Sequence, residues 1–105
     1  MSYSEDHASA LADVQAAGAA VTFTKGATTT CPGYAIGLQD DLRRYEELKL
    51  TETTRRTLLF VPTTYGDEPA SGSTCDWGGH RYVLRDLAPF APNGSMILAR
   101  PVIVR

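Results

Sequence analysis

Apolar and polar residues along this chain alternate more often than they recur at helical spacing. In AAVTFTK, Val21 and Phe23 alternate with Thr22 and Thr24, the two-residue period of a half-buried strand made of β-favouring residues. Tyr34, Ile36 and Leu38 alternate in YAIGL and predict a second strand, with Gly37 marking a bulge or a close backbone approach. TLLFVP is a continuous apolar run ended by Pro62, the pattern of a strand buried on both faces. SMILARPVIVR predicts a last strand, in which Pro101 cannot donate to a ladder and so marks a bulge or an edge. Helical spacing occurs twice. Residues 5–18 place Ala8, Leu11 and Val14 on one helical face, with acids at the start and Gly18 as a stop. Leu42, Tyr45 and Leu48 recur every three residues, enough for a helical turn or two over 41–49.

The stretch STCDWGGHRYVL holds the clearest local signal. Gly78-Gly79 separates two strand-like segments by two residues, and such pairs suit the primed turns whose twist matches flanking strands. With the two glycines as the loop, Trp77 faces His80, Asp76 faces Arg81, Cys75 faces Tyr82 and Thr74 faces Val83. One face then reads Cys75, Trp77, His80, Tyr82 and Leu84, suited to a core. The other carries Thr74, Asp76, Arg81, Val83 and Arg85, with Asp76 and Arg81 as a cross-strand pair. GATTTCPG and TTYGDEPASG read as loops, and DLAPFAPNG carries two prolines and an Asn-Gly turn signal. Together these segments predict a mainly β single domain over 1–105: a small antiparallel barrel or sandwich of five to six strands behind a helical segment at 1–18. A long charged insertion, residues 39–56, separates YAIGL from TLLFVP and is expected to be exposed.

Composition narrows the function classes. The 105 residues carry a formal net charge of -2, so no overall field draws the chain to nucleic acid. No apolar run approaches the roughly 20 residues needed to span a bilayer, and the acidic start MSYSEDHASALADV is unlike a signal peptide. A cytosolic chain with Cys31 and Cys75 reduced is expected. Cys75 and His80 form the one close pair of metal-ligating type, with no third ligand near in sequence, and a cysteine nucleophile would need a base and an orienting group. His7 reads as a solvated helical side chain. Neither a metal, a cofactor nor catalysis is expected. Asp40-Asp41 and Glu46-Glu47 lie among Arg43, Arg44, Arg55 and Arg56, which points to a solvated, ion-paired surface rather than acid/base pairs.

The order VTFT, a Gly-containing strand, DDLRRYEELKLTETTRRTLLFVP, then YGDEPASGSTCDWGGHRYVLRDLAPFAPNGSMILARPVIVR resembles the head-closure (stopper, head–tail connector) proteins of tailed bacteriophages, over about residues 13–105. The pieces that carry it are LLFVP, the Pro69 to Gly72 loop, the Gly-Gly hairpin followed by Tyr82-Val83, and LAPFAPNG. Cys75-Asp76 departs from the family's more usual β-branched and small polar residues, and the length of 39–56 varies between relatives.

The resemblance implies a structural virion neck protein without a reaction of its own. It would form a homo-oligomeric ring, a hexamer or dodecamer, between the portal or adaptor complex and the tail. It would retain packaged DNA without sequence specificity and offer the tail its attachment surface, after assembly in the host cytoplasm. The insertion would then be a channel loop or subunit interface, with Asp40, Asp41, Arg43, Arg44, Glu46, Glu47, Arg55 and Arg56 pairing across subunits and Leu42, Tyr45, Leu48 and Leu50 supplying apolar contact. A tail-terminator or tail-completion ring is the alternative within the same architecture. A small β-barrel nucleic-acid module, using Trp77 and Tyr82 to stack on bases, is a more distant one.

Overall fold

The computed structural model describes residues 3–26, 28–39, 42–48 and 55–105. Helix α1 (Tyr3–Ala17) leads into β1 (Ala19–Lys25) and β2 (Thr29–Gly37), and helix α2 (Leu42–Glu47) precedes β3 (Arg55–Pro62). The hairpin β4 (Thr74–Trp77) and β5 (His80–Asp86) follows, then the short β6 (Pro89–Phe90), β7 (Leu98–Ala99) and β8 (Val102–Val104). All pairings are antiparallel, and β2 pairs with both β1 and β3, so β1, β2, β3, β8, β5 and β4 close into a six-strand barrel. Strands β6 and β7 extend it from the end of β3.

Val21 and Phe23 point inward from β1, as their alternation predicts, to meet Leu58, Phe60, Cys75, Tyr82, Leu84, Met96 and Ile103. The Phe23 and Phe60 rings pack edge to face, 5.0 Å between centroids, the arrangement their quadrupoles favour. Strand β3 is buried on both faces over most of its length, as the apolar run predicts.

Strand β2 departs from its reading in two ways. It begins at Thr29, inside the stretch GATTTCPG expected to be loop, and its inward residues are Cys31, Gly33 and Ala35 rather than the larger Tyr34 and Ile36. Tyr34 and Ile36 are half-buried on the outside, where α1 lies. A six-strand barrel has a narrow interior that Phe23 and Phe60 already occupy, so small residues take the facing positions. Pro32 fits within the strand because its carbonyl, turned away from β1, accepts from the Thr63 N–H at 2.9 Å; a proline's missing N–H would lie on that same side. Gly37 is no close backbone approach: a Cβ there would meet only Trp77 at 3.8 Å.

At the other seam the register of β3 with β7 matches its register with β8, so Pro101 marks an interruption of one strand rather than a bulge or an edge. Its carbonyl accepts from the Leu58 N–H at 3.0 Å, but it returns no bond. The bulge lies instead in β5, between Leu84 and Asp86.

Helix α1 buries His7 and Val14, with Ala10 and Leu11 half-covered, so the inward stripe is shifted from the expected one and Ala8 is exposed. His7 is not solvated. Its Nε2–H donates to the Pro62 carbonyl at 2.7 Å, and its ring lies 5.6 Å from that of Tyr65. A carbonyl left at the end of β3 gives a buried imidazole the partner that burial requires. Among the described residues no helix is long and apolar enough to cross a membrane.

Candidate functional site

The hairpin forms in the register its turn dictates. Thr74, Cys75, Asp76 and Trp77 pair with Val83, Tyr82, Arg81 and His80, and Gly78 and Gly79 take φ of 57° and 83°, both in the left-handed region a type I′ turn demands. Cys75, Tyr82 and Leu84 enter the core and Trp77 packs at its edge, but His80 is exposed beside the turn. Thiol and imidazole are thereby separated by environment, and among the described residues no group of three or more His, Cys, Asp or Glu could hold a metal. Tyr82 is 3% exposed, so its ring offers no surface on which a base could stack. On the outer face, Arg81 Nε reaches Asp76 Oδ1 at 3.3 Å, with both side chains about as exposed as an isolated surface pair, worth roughly 0–1 kcal/mol.

The insertion is less exposed than its charge suggests. Asp40, Asp41 and Leu50 lie outside the described residues, as do the side chains of Leu42 and Glu47. Tyr45, expected on an exposed segment, is 1% exposed and forms a second small core with Val102, Val104 and half-buried Leu48. Its hydroxyl lies 2.9 Å from Thr57 Oγ1, and the Arg55 guanidinium sits 4.6 Å above its ring centroid. Arg44 reaches across to β5, where Nη2 and Nε donate to Asp86 Oδ2 at 2.7 and 3.2 Å. A stripe repeating every three residues gives α2 one apolar side, and β8 presents Val102 and Val104 outward to receive it. The continuous run VIV was the available signal, since a strand apolar at every position is covered on both faces. No local pattern links Arg44 to Asp86 or Tyr45 to Thr57. Arg43, Glu46 and Arg56 are exposed, with Arg56 donating to the Arg55 carbonyl at 2.8 Å.

Two shallow depressions flank β5. One, about 310 Å³, is bounded by Glu68, Pro69, Ser71, Leu84, Arg85, Asp86 and Leu87; the other, about 260 Å³, by Thr22, Thr24, Gly26, Thr74, Cys75, Asp76 and Arg81. Cys75 borders the second beside Asp76, but its side chain points into the core and the Asp76 carboxylate pairs with Arg81 on the outer face.

The two thiols are free, buried and far from nucleophilic. Burial, with smaller contributions from Asp67 and Glu68 at Cys31 and from Asp76 at Cys75, pushes both up to about 11 from 9.0. The unfolded thiols lose their protons near pH 9 while the folded ones keep theirs, so this stability is present below pH 9 and drains away as pH rises to about 11. Chemical denaturation between these pH values is expected to show a loss on the order of 2 kcal/mol per thiol, beyond the loss shown by a Cys31→Ala/Cys75→Ala variant.

The outer surface of this barrel therefore carries charge, hydroxyls and a docked helix, and its thiols serve packing. No protein-family profile, curated protein or solved structure matches the chain.

Proposed function

We propose that this chain is a structural neck protein of a tailed-phage virion. It forms a ring between the portal or adaptor complex and the tail, retains packaged DNA and gives the tail its attachment surface, without catalysis. The observation that carries the reading is the long charged connection, residues 38–54, set between the second and third strands of a small closed barrel, in the order of segments that resembles the head-closure proteins. A closed barrel suits this work because it has no long free strand edge and transmits load as one rigid body.

Within this reading the charges divide. Arg55 and Arg56, expected at the end of the insertion, belong to β3; Arg44 and Arg55 are engaged by their own subunit, at Asp86 and Tyr45, and among the described residues Arg43, Glu46 and Arg56 are the exposed charges placed to meet a neighbour. The direct test is the mass of the purified chain alone and after mixing with its cognate portal–adaptor complex. Six or twelve copies bound is the expected result, and no binding overturns the proposal. Arg56→Glu is expected to weaken docking about tenfold with an unchanged melting temperature, because a small loss per subunit is repeated around a ring. Undiminished docking of that variant removes the Arg56 end of β3 from the interface.

A further inference from the structure

We infer that the uncovered outer wall of β4 and β5 receives helix α1 of a second copy of this chain, in a head-to-tail contact. The inference rests on the ring reading above and specifies which surfaces build the ring.

Around the barrel the strands run β1, β2, β3, β8, β5, β4. Helix α1 lies over β2 and β3, and α2 docks on β3 and β8. β5 is three strands from β2 in either direction, and β4 three from β3, so this wall is diametrically opposite α1, and α2 reaches it only through Arg44, at Asp86 on the end of β5. Val83 on that wall is 42% exposed, one of few large apolar side chains so placed, and exposed Arg81 and Arg85 stand on either side of it.

An exposed flank of α1 has the complementary order. Asp6, Ser9 and Asp13 follow helical spacing along this flank, from beside half-buried Ala10 toward the outermost side that carries Glu5, Ala12 and Ala16, and all of these but Ala10 are exposed. No lysine or arginine occurs in Tyr3–Ala17. Asp6 and Asp13 are separated along the helix by about 10 Å. Arg81 and Arg85 are four residues apart along β5, at most about 13 Å because the bulge between Leu84 and Asp86 shortens the strand, so the mismatch is one that two arginine side chains can span. Ser9 falls between the carboxylates as Val83 falls between the guanidiniums. A serine within a helix can return its hydroxyl to the carbonyl four residues back, so it meets the valine without losing a hydrogen bond. Its small side chain lets the helix approach while each arginine meets an aspartate. The present partner of Arg81, Asp76, is an exposed pair that exchanges at little cost.

Two different and opposite surfaces cannot mate by a two-fold axis. They repeat head to tail and close into a ring when the rotation permits.

The test uses the full chain with one exposed cysteine per variant, Ser9→Cys or Val83→Cys, joined by a short bismaleimide at low salt. Buried Cys31 and Cys75 stay unreactive. An equimolar mixture is expected to give a covalent dimer, each variant alone to give none, and the double variant to give a ladder. Adding Asp6→Lys/Asp13→Lys to the helix partner is expected to cut the cross-linking rate at least tenfold, and Arg81→Glu/Arg85→Glu on the wall partner to restore it. Self-cross-linking of either single variant, no product from the mixture, or no rescue by the paired reversal overturns the contact. A chain that binds the portal complex but fails these arms loses the contact and keeps the neck reading. One that passes them but ignores the portal loses the neck reading and keeps the contact.

Discussion

Replacing Gly33 with alanine is expected to lower the urea midpoint by about 2 to 3 M, a destabilisation of about 3 kcal/mol for a domain of this size. Gly33 lies where β2, still paired with β1, begins to pair with β3, at the seam that closes the barrel. A Cβ there would clash with the Val61 carbonyl oxygen and sit 2.7 Å from the Phe60 ring. The first of these atoms is backbone in a paired strand and cannot turn aside. The second belongs to a fully buried ring held edge to face by Phe23. Relief requires β2 and β3 to part, which opens the ladder from Gly33 to Gly37. Equilibrium urea unfolding checks this, and a midpoint within about 0.5 M of the parent, the scatter of such extrapolations, would show that the seam yields.

The second large effect is expected at Tyr45. Tyr45→Ala removes the central side chain of the smaller core, bares Val102 and Val104, and leaves the buried Thr57 hydroxyl without its partner. Removal of a buried aromatic costs about 3 kcal/mol or more. Tyr45→Phe keeps the ring and is expected to cost only about 1 kcal/mol, the net worth of one buried hydrogen bond. Hydrogen exchange separates two kinds of loss. In Tyr45→Ala the amides of residues 42–48 are expected to exchange freely while those of β1, β4 and β5 remain protected, since these strands draw their core from Phe23, Tyr82 and Leu84. If all strands lose protection together, α2 is an integral part of the barrel rather than a segment docked upon it.

What is legible in the sequence follows from how local each cause is. The Gly78-Gly79 turn fixes the whole register of β4 and β5, because two positive-φ residues between two strands leave one way to pair them. The alternation of Val21 and Phe23 marks the correct face of β1, since a barrel wall has one dry side. The phase of β2 is hidden by α1. With a helix on its outer face, Tyr34 and Ile36 are partly covered as well, and the smallness of Cys31, Gly33 and Ala35 reflects the bulk of Phe23 and Phe60, which belong to other strands. His7 misleads for the same kind of reason, because its partner is a carbonyl 55 residues away. At the insertion the apolar period is visible, but its destination is not. The surface that buries Tyr45 is assembled from Thr57, Val102 and Val104 only once β3 and β8 are side by side.

Closure of the barrel also bears on how this protein behaves when concentrated. Fibrils grow by adding strands to an open edge, and each strand of the closed circuit already has a neighbour on both sides. The loosest seam of the circuit is β1 with β4, paired at Thr24 and Thr74 alone, and beyond the circuit the edge among the described residues is β6, two residues long, whose first residue, Pro89, lacks the N–H that an incoming strand would need. Cross-β growth is therefore expected to find little template beyond β6, and concentrated protein to associate through contacts between whole subunits rather than through added strands.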